Sequence, residues 1–139
     1  MKKVDSACLR PTTDRIIRFE ENKRKILFIN SSLLPYIAVR VDGCAITHGV
    51  RCDHLLISGD ALEERYVELK GTDVRHAIQQ LEVTIQTLGE HDFNRHSYVI
   101  CTNVVPRVRT DMQIWAKRFK NKYNSELVIR SKEHSVTLN

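Results

Sequence analysis

Short runs in which apolar and polar residues alternate fill the first half of the chain, a pattern typical of β-strands. The strands predicted from these runs are 16–19, 26–29, 36–46, 50–58 and 66–70. Residues 20–25 form a polar turn between the first two, which predicts a hairpin. A second hairpin is predicted around Thr47-His48-Gly49, where Gly49 suits the left-handed position of a three-residue loop.

After Gly71 the apolar period changes from two to that of an α-helix. Val74, Ile78, Leu81, Ile85 and Leu88 are spaced by four, three, four and three, which places them in one stripe. Thr72 or Asp73 can cap the start of this helix, and Gly89 can end it. At the edge of the stripe we expect three polar residues to face the strand that feeds the helix, namely His76, Gln80 and Thr84.

The last third of the chain predicts a strand, a helix and a strand. Residues 97–102 read as a short buried strand, and 126–130 as the final one. Thr110 to Gln113 match a capping box that opens a helix ending at Asn124. The residues expected to face inward from it are Met112, Trp115, Ala116 and Phe119. The polar segments 1–14 and 131–139 are expected to be loosely ordered.

This order of elements predicts an α/β or α+β fold. A meander of strands is followed by strand–helix–strand units, which join parallel strands. We therefore expect a mixed central β-sheet flanked by helices. With 139 residues, the chain has the size of a single domain.

Basic residues outnumber acidic ones, 22 to 17, and give a formal charge of +5. The excess is concentrated between residues 107 and 122, where Asp111 is the single acid. Such a cluster fits contact with nucleic-acid phosphates, and it equally fits a solvated surface. The candidate nucleic-acid-binding residues are Arg107, Arg109, Lys117, Arg118, Lys120 and Lys122.

The four cysteines show no disulfide-scaffold spacing, and the N-terminus has no apolar signal-peptide core. No apolar run is long enough to cross a membrane. We therefore expect the protein in the reducing cytoplasm.

Two acids and a lysine supply the clearest candidate chemistry. Asp53 lies in one apolar run, and Glu68 and Lys70 lie in the next, two residues apart and so on one face of a strand. One or two carboxylates, together with substrate phosphate, are enough to hold Mg²⁺. An ammonium beside the ion could position a water or stabilise charge that develops on a phosphate.

Residues 36–129 resemble the PD-(D/E)xK nuclease superfamily. The resemblance rests on Asp53 in an apolar strand, on Val67-Glu68-Leu69-Lys70-Gly71, and on a helix that follows at once and carries Gln80. It implies a restriction-endonuclease-like fold in which Asp53, Glu68 and the backbone carbonyl of Leu69 hold Mg²⁺ or Mn²⁺. It also implies that Lys70 is the catalytic lysine and that Gln80 supports the site.

The chain departs from the superfamily pattern in two places. Cys52 precedes Asp53 where the motif has proline. The core of the superfamily opens with a helix that often bears a further acid, whereas a hairpin is predicted here, so that Glu20 and Glu21 are weak candidates for this acid.

The function expected from these features is a Mg-dependent DNA endonuclease acting on duplex or branched DNA, with a homodimer as a reasonable guess. One alternative is a catalytically inactive module of the same fold that binds nucleic acid or protein. Another is a zinc-stabilised regulatory module, because Cys44, His48, Cys52 and His54 lie within eleven residues. Cys44 and Cys52 could instead be a packed cross-strand pair, with Cys8 or Cys101 near them.

Overall fold

The structure is a computed structural model. It describes residues 4–60, 62–69, 71–90, 93–103 and 109–138. Two of the candidate site residues, Lys70 and Arg107, lie outside this part of the chain. The nine described strands are β1 (Leu9–Thr12), β2 (Ile16–Glu21), β3 (Arg24–Ile29), β4 (Tyr36–Arg40), β5 (His54–Ser58), β6 (Glu63–Glu68), β7 (Asn94–Cys101), β8 (Ser125–Ser131) and β9 (Glu133–Thr137). The helices are α1 (Val74–Leu88), α2 (Arg109–Tyr123) and a short 3₁₀ turn, Ser6–Cys8.

The strands form two sheets. The larger one has six strands in the order β1-β4-β5-β6-β7-β8. Its first four strands pair antiparallel, and β6, β7 and β8 pair parallel through the α1 and α2 connections. The smaller sheet has the order β2-β3-β9, with β3 and β9 parallel.

Each face of the six-stranded sheet has its own hydrophobic cluster. On one face, sheet residues such as Leu55 and Tyr66 pack with Leu81 of α1 and Phe119 of α2. On the other face a second set of buried apolar residues packs against the three-stranded sheet. The predicted mixed α/β architecture is therefore confirmed at this level. Both helices cover the same face, however, and a sheet covers the other.

Helix α1 confirms the sequence prediction, whereas Thr110 lies inside α2, whose described part begins at Arg109, and so does not cap this helix. The Asp73 side chain caps α1 by accepting from the N–H of His76, at 3.1 Å, and the helix ends at Gly89. Gly71 has a φ of +118°, a left-handed conformation that glycine adopts without strain. In α2 the prediction that Ala116 faces inward is wrong, because Ala116 is exposed and Tyr123 is buried instead. Neither helix is long and apolar enough to span a membrane.

Two polar segments expected to lack regular structure contain strands. Leu9–Thr12 pairs with β4, and Glu133–Thr137 pairs with β3. The burial of the second strand alternates along its length, and Leu138, just after it, is fully buried. A partner strand thus stabilises an extended backbone in segments whose polar composition does not predict a strand.

The predicted second hairpin is also wrong in its extent. The flanking strands end at Arg40 and begin at His54, with Arg40 opposite His54. Residues 41–53 form an irregular segment instead of two strand ends. This happens because the backbone at residues 51 and 52 bonds to side chains of α1 and not to a neighbouring strand. Gly49 does adopt the expected left-handed conformation, with a φ of +80°.

Candidate active site

Asp53 lies where β5 begins, beside the end of β6. Its backbone N–H donates to the carbonyl oxygen of Val67 at 3.1 Å, and its Oδ2 accepts from the N–H of Leu69 at 2.9 Å. Asp53 is only 2% exposed. These bonds place its carboxylate against the strand segment that contains Glu68.

Glu68 is the last residue of β6 and is fully buried. The charges of Asp53 and Glu68 both affect the pKa of the buried Cys52 thiol. Burial raises the pKa of this thiol well above its ordinary value, contact with the Thr84 hydroxyl opposes the rise, and the charges of Glu68 and Asp53 add to it. The Asp53 carboxylate thus lies against the backbone of residue 69, next to Glu68, at the adjoining ends of β5 and β6.

An arginine that was not among the predicted site residues reaches this end of the sheet. Arg24, the first residue of β3, donates from Nε to the carbonyl oxygen of Leu69 at 2.6 Å and from Nη1 to Oγ1 of Thr102 at 2.7 Å. It thus links the smaller sheet to the ends of β6 and β7. The Leu69 carbonyl, a predicted metal ligand, already accepts a hydrogen bond from a cation in this structure.

Arg24 was missed because residues 20–25 were assigned to a polar turn. The turn consists of only Asn22 and Lys23, which both have positive φ, and Glu21 pairs with Arg24 across it. Asn22 is the residue that could have indicated this short turn from the sequence, since asparagine favours the left-handed conformation that a two-residue hairpin turn requires.

The polar edge of α1 holds the segment that leads into Asp53. The Nε2 group of Gln80 donates to the carbonyl oxygen of Arg51 at 3.0 Å, and the N–H of Cys52 donates to Oγ1 of Thr84 at 2.8 Å. The three edge residues were expected to face β6, the strand that feeds the helix. Gln80 and Thr84 contact residues 51 and 52 instead. Gln80 therefore supports the backbone next to Asp53.

A cavity of about 300 Å³ adjoins this edge. Gln80 and His76 line one side of it, and Asp42 and Arg51 line another. Asp42 Oδ1 accepts from Arg51 Nε at 2.8 Å.

The described residues of the basic cluster are spread along α2. Arg75 of α1 pairs with Asp111 at 2.6 Å, which places Arg109, the first residue of α2, near the start of α1. Lys120 and Lys122 line a cavity at the other end of α1, beside Gly89. Among the described residues, neither Asp53 nor Glu68 lines this cavity.

Two residues of this cluster have acidic partners. Arg118 pairs with Glu82 of α1 at 2.5 Å, and Lys120 pairs with Glu126 at 3.1 Å. Lys117 is exposed, and the Nζ of Lys122 lies 5.5 Å from the centre of the Tyr123 ring.

The four residues of the zinc alternative do not form a metal site. Cys44 forms a disulfide with Cys8, so Cys8 does lie near it, but Cys44 and Cys52 are outside the paired strands and are not the cross-strand pair that was considered. Cys52 is buried, with its Sγ 3.6 Å from the carbonyl oxygen of His54, and the His54 ring stacks on Phe19. The described residues contain no group of three or more His, Cys, Asp or Glu side chains arranged to hold a metal ion.

The donor set at Asp53 and Glu68 nevertheless suits magnesium. Mg²⁺ prefers oxygen ligands, retains several waters and needs one or two carboxylates from the protein. Asp53 and Glu68, carried by adjoining strand ends, supply carboxylate oxygens of this kind.

Comparison of the chain with protein-family models, with curated proteins and with solved structures finds no significant match. The resemblance to the PD-(D/E)xK superfamily therefore stays a prediction that rests on the residues themselves.

Proposed function

We propose that this protein is a Mg-dependent or Mn-dependent DNA endonuclease with a restriction-endonuclease-like fold, and that it acts in the cytoplasm. The observation that carries the proposal is the hydrogen bond from the N–H of Leu69 to Oδ2 of Asp53, at 2.9 Å. This bond holds Asp53 beside the end of the strand that carries Glu68. The charges of both acids raise the pKa of the Cys52 thiol. This contact supports a shared site for two acids that are 15 residues apart in sequence.

Each residue has a distinct role in the proposed reaction. Asp53 and Glu68 would hold the metal ion, which supplies Lewis-acid activation of water and of the scissile phosphate. Gln80 fixes the Arg51 carbonyl, and the N–H of Leu69 fixes the Asp53 carboxylate, so Asp53 keeps one orientation. Lys70 would place its ammonium beside the phosphate, a role that rests on the sequence resemblance.

The testing experiment is a cleavage assay on duplex, single-stranded and branched DNA with Mg²⁺ or Mn²⁺. Asp53→Asn, Glu68→Gln and Lys70→Ala are each expected to lower the cleavage rate by at least about 100-fold, because each removes a group required at the reacting phosphate. Glu63→Gln is the matched control, since Glu63 lies on the same strand but at its opposite end. Thermal unfolding of every variant checks that the fold survives.

The proposal fails if DNA is cleaved and the three site variants retain the rate of the Glu63→Gln control. It also fails if no DNA form is cut with either metal. Cutting both strands of a duplex at one place requires two sites, so we propose a homodimer, which sedimentation of the protein with and without DNA tests.

A second candidate function is a non-catalytic module that binds nucleic acid. It is favoured by the burial of both acids, 2% and 0% exposed, and by the occupation of the Leu69 carbonyl by Arg24. For this function we expect DNA binding without cleavage, and equal affinity for the Glu68→Gln variant and the unchanged protein.

A further inference from the structure

A second basic surface lies on the face of the six-stranded sheet opposite the helices. It is a cavity of about 320 Å³, which we call the arginine groove, and its defining residues are Arg10, Arg18, Arg40 and His54. Ala38 lies among the lining residues, and Phe19 of β2 forms a wall by stacking on His54 at 4.5 Å between ring centres.

The groove exists because the two sheets differ in width. The smaller sheet has three strands, and β2 is at its edge. Arg10 lies opposite Ala38, and Arg40 lies opposite His54, in the ladders that join β1, β4 and β5. Arg18 comes from β2. Arginines from three strands therefore surround one concave surface, although they are distant in sequence.

The charged side chains among the described residues that line the groove are all arginines. Its lining residues are Ala7, Cys8, Leu9, Arg10, Arg18, Phe19, Ala38, Val39, Arg40 and His54, with no aspartate or glutamate among them. Arg10 pairs with Asp14 and Arg18 pairs with Glu20, each at 3.7 Å, and all four side chains are largely exposed. Exposed ion pairs of this kind contribute little to stability, and the arginine can exchange its carboxylate partner for another anion. The guanidinium groups thus remain available to a phosphate.

One end of the groove adjoins the chain segment that carries Asp53. His54 directly follows Asp53 in the chain, and the N–H of Val41, the residue after Arg40, donates to the Asp53 carbonyl oxygen at 3.0 Å. Glu68 faces the other side of the sheet, because its neighbours Val67 and Leu69 pack in the cluster on the groove side. A strand of nucleic acid that follows the groove would therefore pass round the end of the sheet to meet Glu68.

We propose that the arginine groove binds the sugar-phosphate backbone of the DNA strand on which the Asp53 and Glu68 site acts. The binding of phosphates stands on the charge and shape of the groove alone. Delivery of the strand to the two acids rests on the proposed nuclease function.

The test measures binding of a fluorescent DNA oligonucleotide by anisotropy in EDTA, over a range of salt concentrations. We expect the double variant Arg10→Gln/Arg40→Gln to bind more weakly and to reduce the slope of log affinity against log salt by about 2, one for each phosphate that no longer meets an arginine. The matched control is Arg130→Gln, an exposed arginine of β8 at the opposite edge of the sheet. This control is expected to keep the affinity and slope of the unchanged protein.

Unchanged affinity and salt slope in the double variant would overturn the groove proposal, as would an equal loss in the Arg130→Gln control. Displacement of the DNA by millimolar inorganic phosphate at constant ionic strength would also overturn it, because it would indicate a site for a small anion. Failure of the proposed nuclease function gives a different result. In that case the groove variant still weakens DNA binding, but the unchanged protein cleaves no DNA with Mg²⁺ or Mn²⁺. If Asp53→Asn abolishes cleavage and the groove variant binds normally, the nuclease stands and the groove fails.

Discussion

The charged residues in the interior of this protein have two kinds of environment. Glu64 and Arg95 form a buried pair at 2.9 Å, and Arg95 also donates to the Tyr123 carbonyl oxygen at 2.8 Å. Burial raises the pKa of Glu64, and the charge of Arg95 opposes the rise. Asp53, by contrast, is buried and accepts from the backbone N–H of Leu69. The first arrangement joins structural elements through a charged pair, and the second fixes a carboxylate against the backbone of the neighbouring strand.

Removing Arg95 tests the structural pair. Because Arg95→Leu leaves Glu64 buried without its cation, we expect a loss of roughly 3–5 kcal/mol in the free energy of unfolding. The double variant Glu64→Gln/Arg95→Leu should be more stable than the single one, since it removes the buried charge as well. Urea unfolding measures both. Equal stability of the two variants would contradict this account.

His96 should make stability depend on pH. Burial lowers its pKa below the ordinary value of 6.5, and the charge of Arg65 lowers it further. The unfolded chain therefore takes up the proton first as the pH falls below 6.5, so stability is retained above that pH and lost below it. We expect His96→Gln to lose less stability between about pH 7.5 and 5.5 than the unchanged protein, as measured by urea unfolding at each pH. Parallel losses in the two proteins would contradict this expectation.

At the scale of elements, α1 determines the shape of the chain that enters the candidate site. Its periodic stripe packs into the core, and its polar edge replaces the strand partner that residues 51 and 52 lack. The helix was predictable from its stripe and its caps. Its effect on 41–53 was not, because hydrogen bonds from side chains to distant backbone leave no periodic pattern in the sequence.

Thr84→Val tests the role of this edge. Valine has nearly the same shape but leaves the buried N–H of Cys52 without its acceptor, so we expect a cost of about 1–3 kcal/mol in unfolding free energy. Thr87→Val is the control, since the Thr87 hydroxyl is exposed and bonds within its own helix at Val83. Hydrogen exchange should also become faster at residues 51 and 52 in Thr84→Val alone. Equal effects of the two substitutions would exclude this role of Thr84.

At the scale of the whole molecule, long-range links hold the N-terminal part against the larger sheet. Arg24 bonds to residues 69 and 102, and Cys8 is joined to Cys44 across 36 positions. The disulfide connects the turn before β1 with the segment 41–53. Disulfides persist in oxidising surroundings, so a cytoplasmic protein would hold these two cysteines reduced.

Reduction of the disulfide is expected to destabilise the protein by roughly 2–4 kcal/mol, because the unfolded chain regains the freedom that the closed loop removes. Thermal or urea unfolding with and without a reductant measures this change. The variant Cys8→Ser/Cys44→Ser should not respond to the reductant. A response in this variant would show that another sulfur, at Cys52 or Cys101, is responsible.

The sequence alone was sufficient to predict the helices, the mixed sheet and the two acids of the candidate site. These are properties of local periodicity and of residue type, so a stretch of roughly ten to fifteen residues already contains the information. The exposed basic positions of α2 followed in the same way, although the ion pairs of Arg118 with Glu82 and of Lys120 with Glu126 did not.

Only the tertiary structure decided which distant residues meet. It brought Asp53 beside Glu68, placed Arg24 on the Leu69 carbonyl, joined Cys8 to Cys44 and gathered three arginines into one groove. It also formed β1 and β9 from polar segments, because a partner strand supplies the hydrogen bonds that make a strand. Such contacts join residues far apart in the chain, and their free energy depends on the partner, which no local pattern of residues specifies.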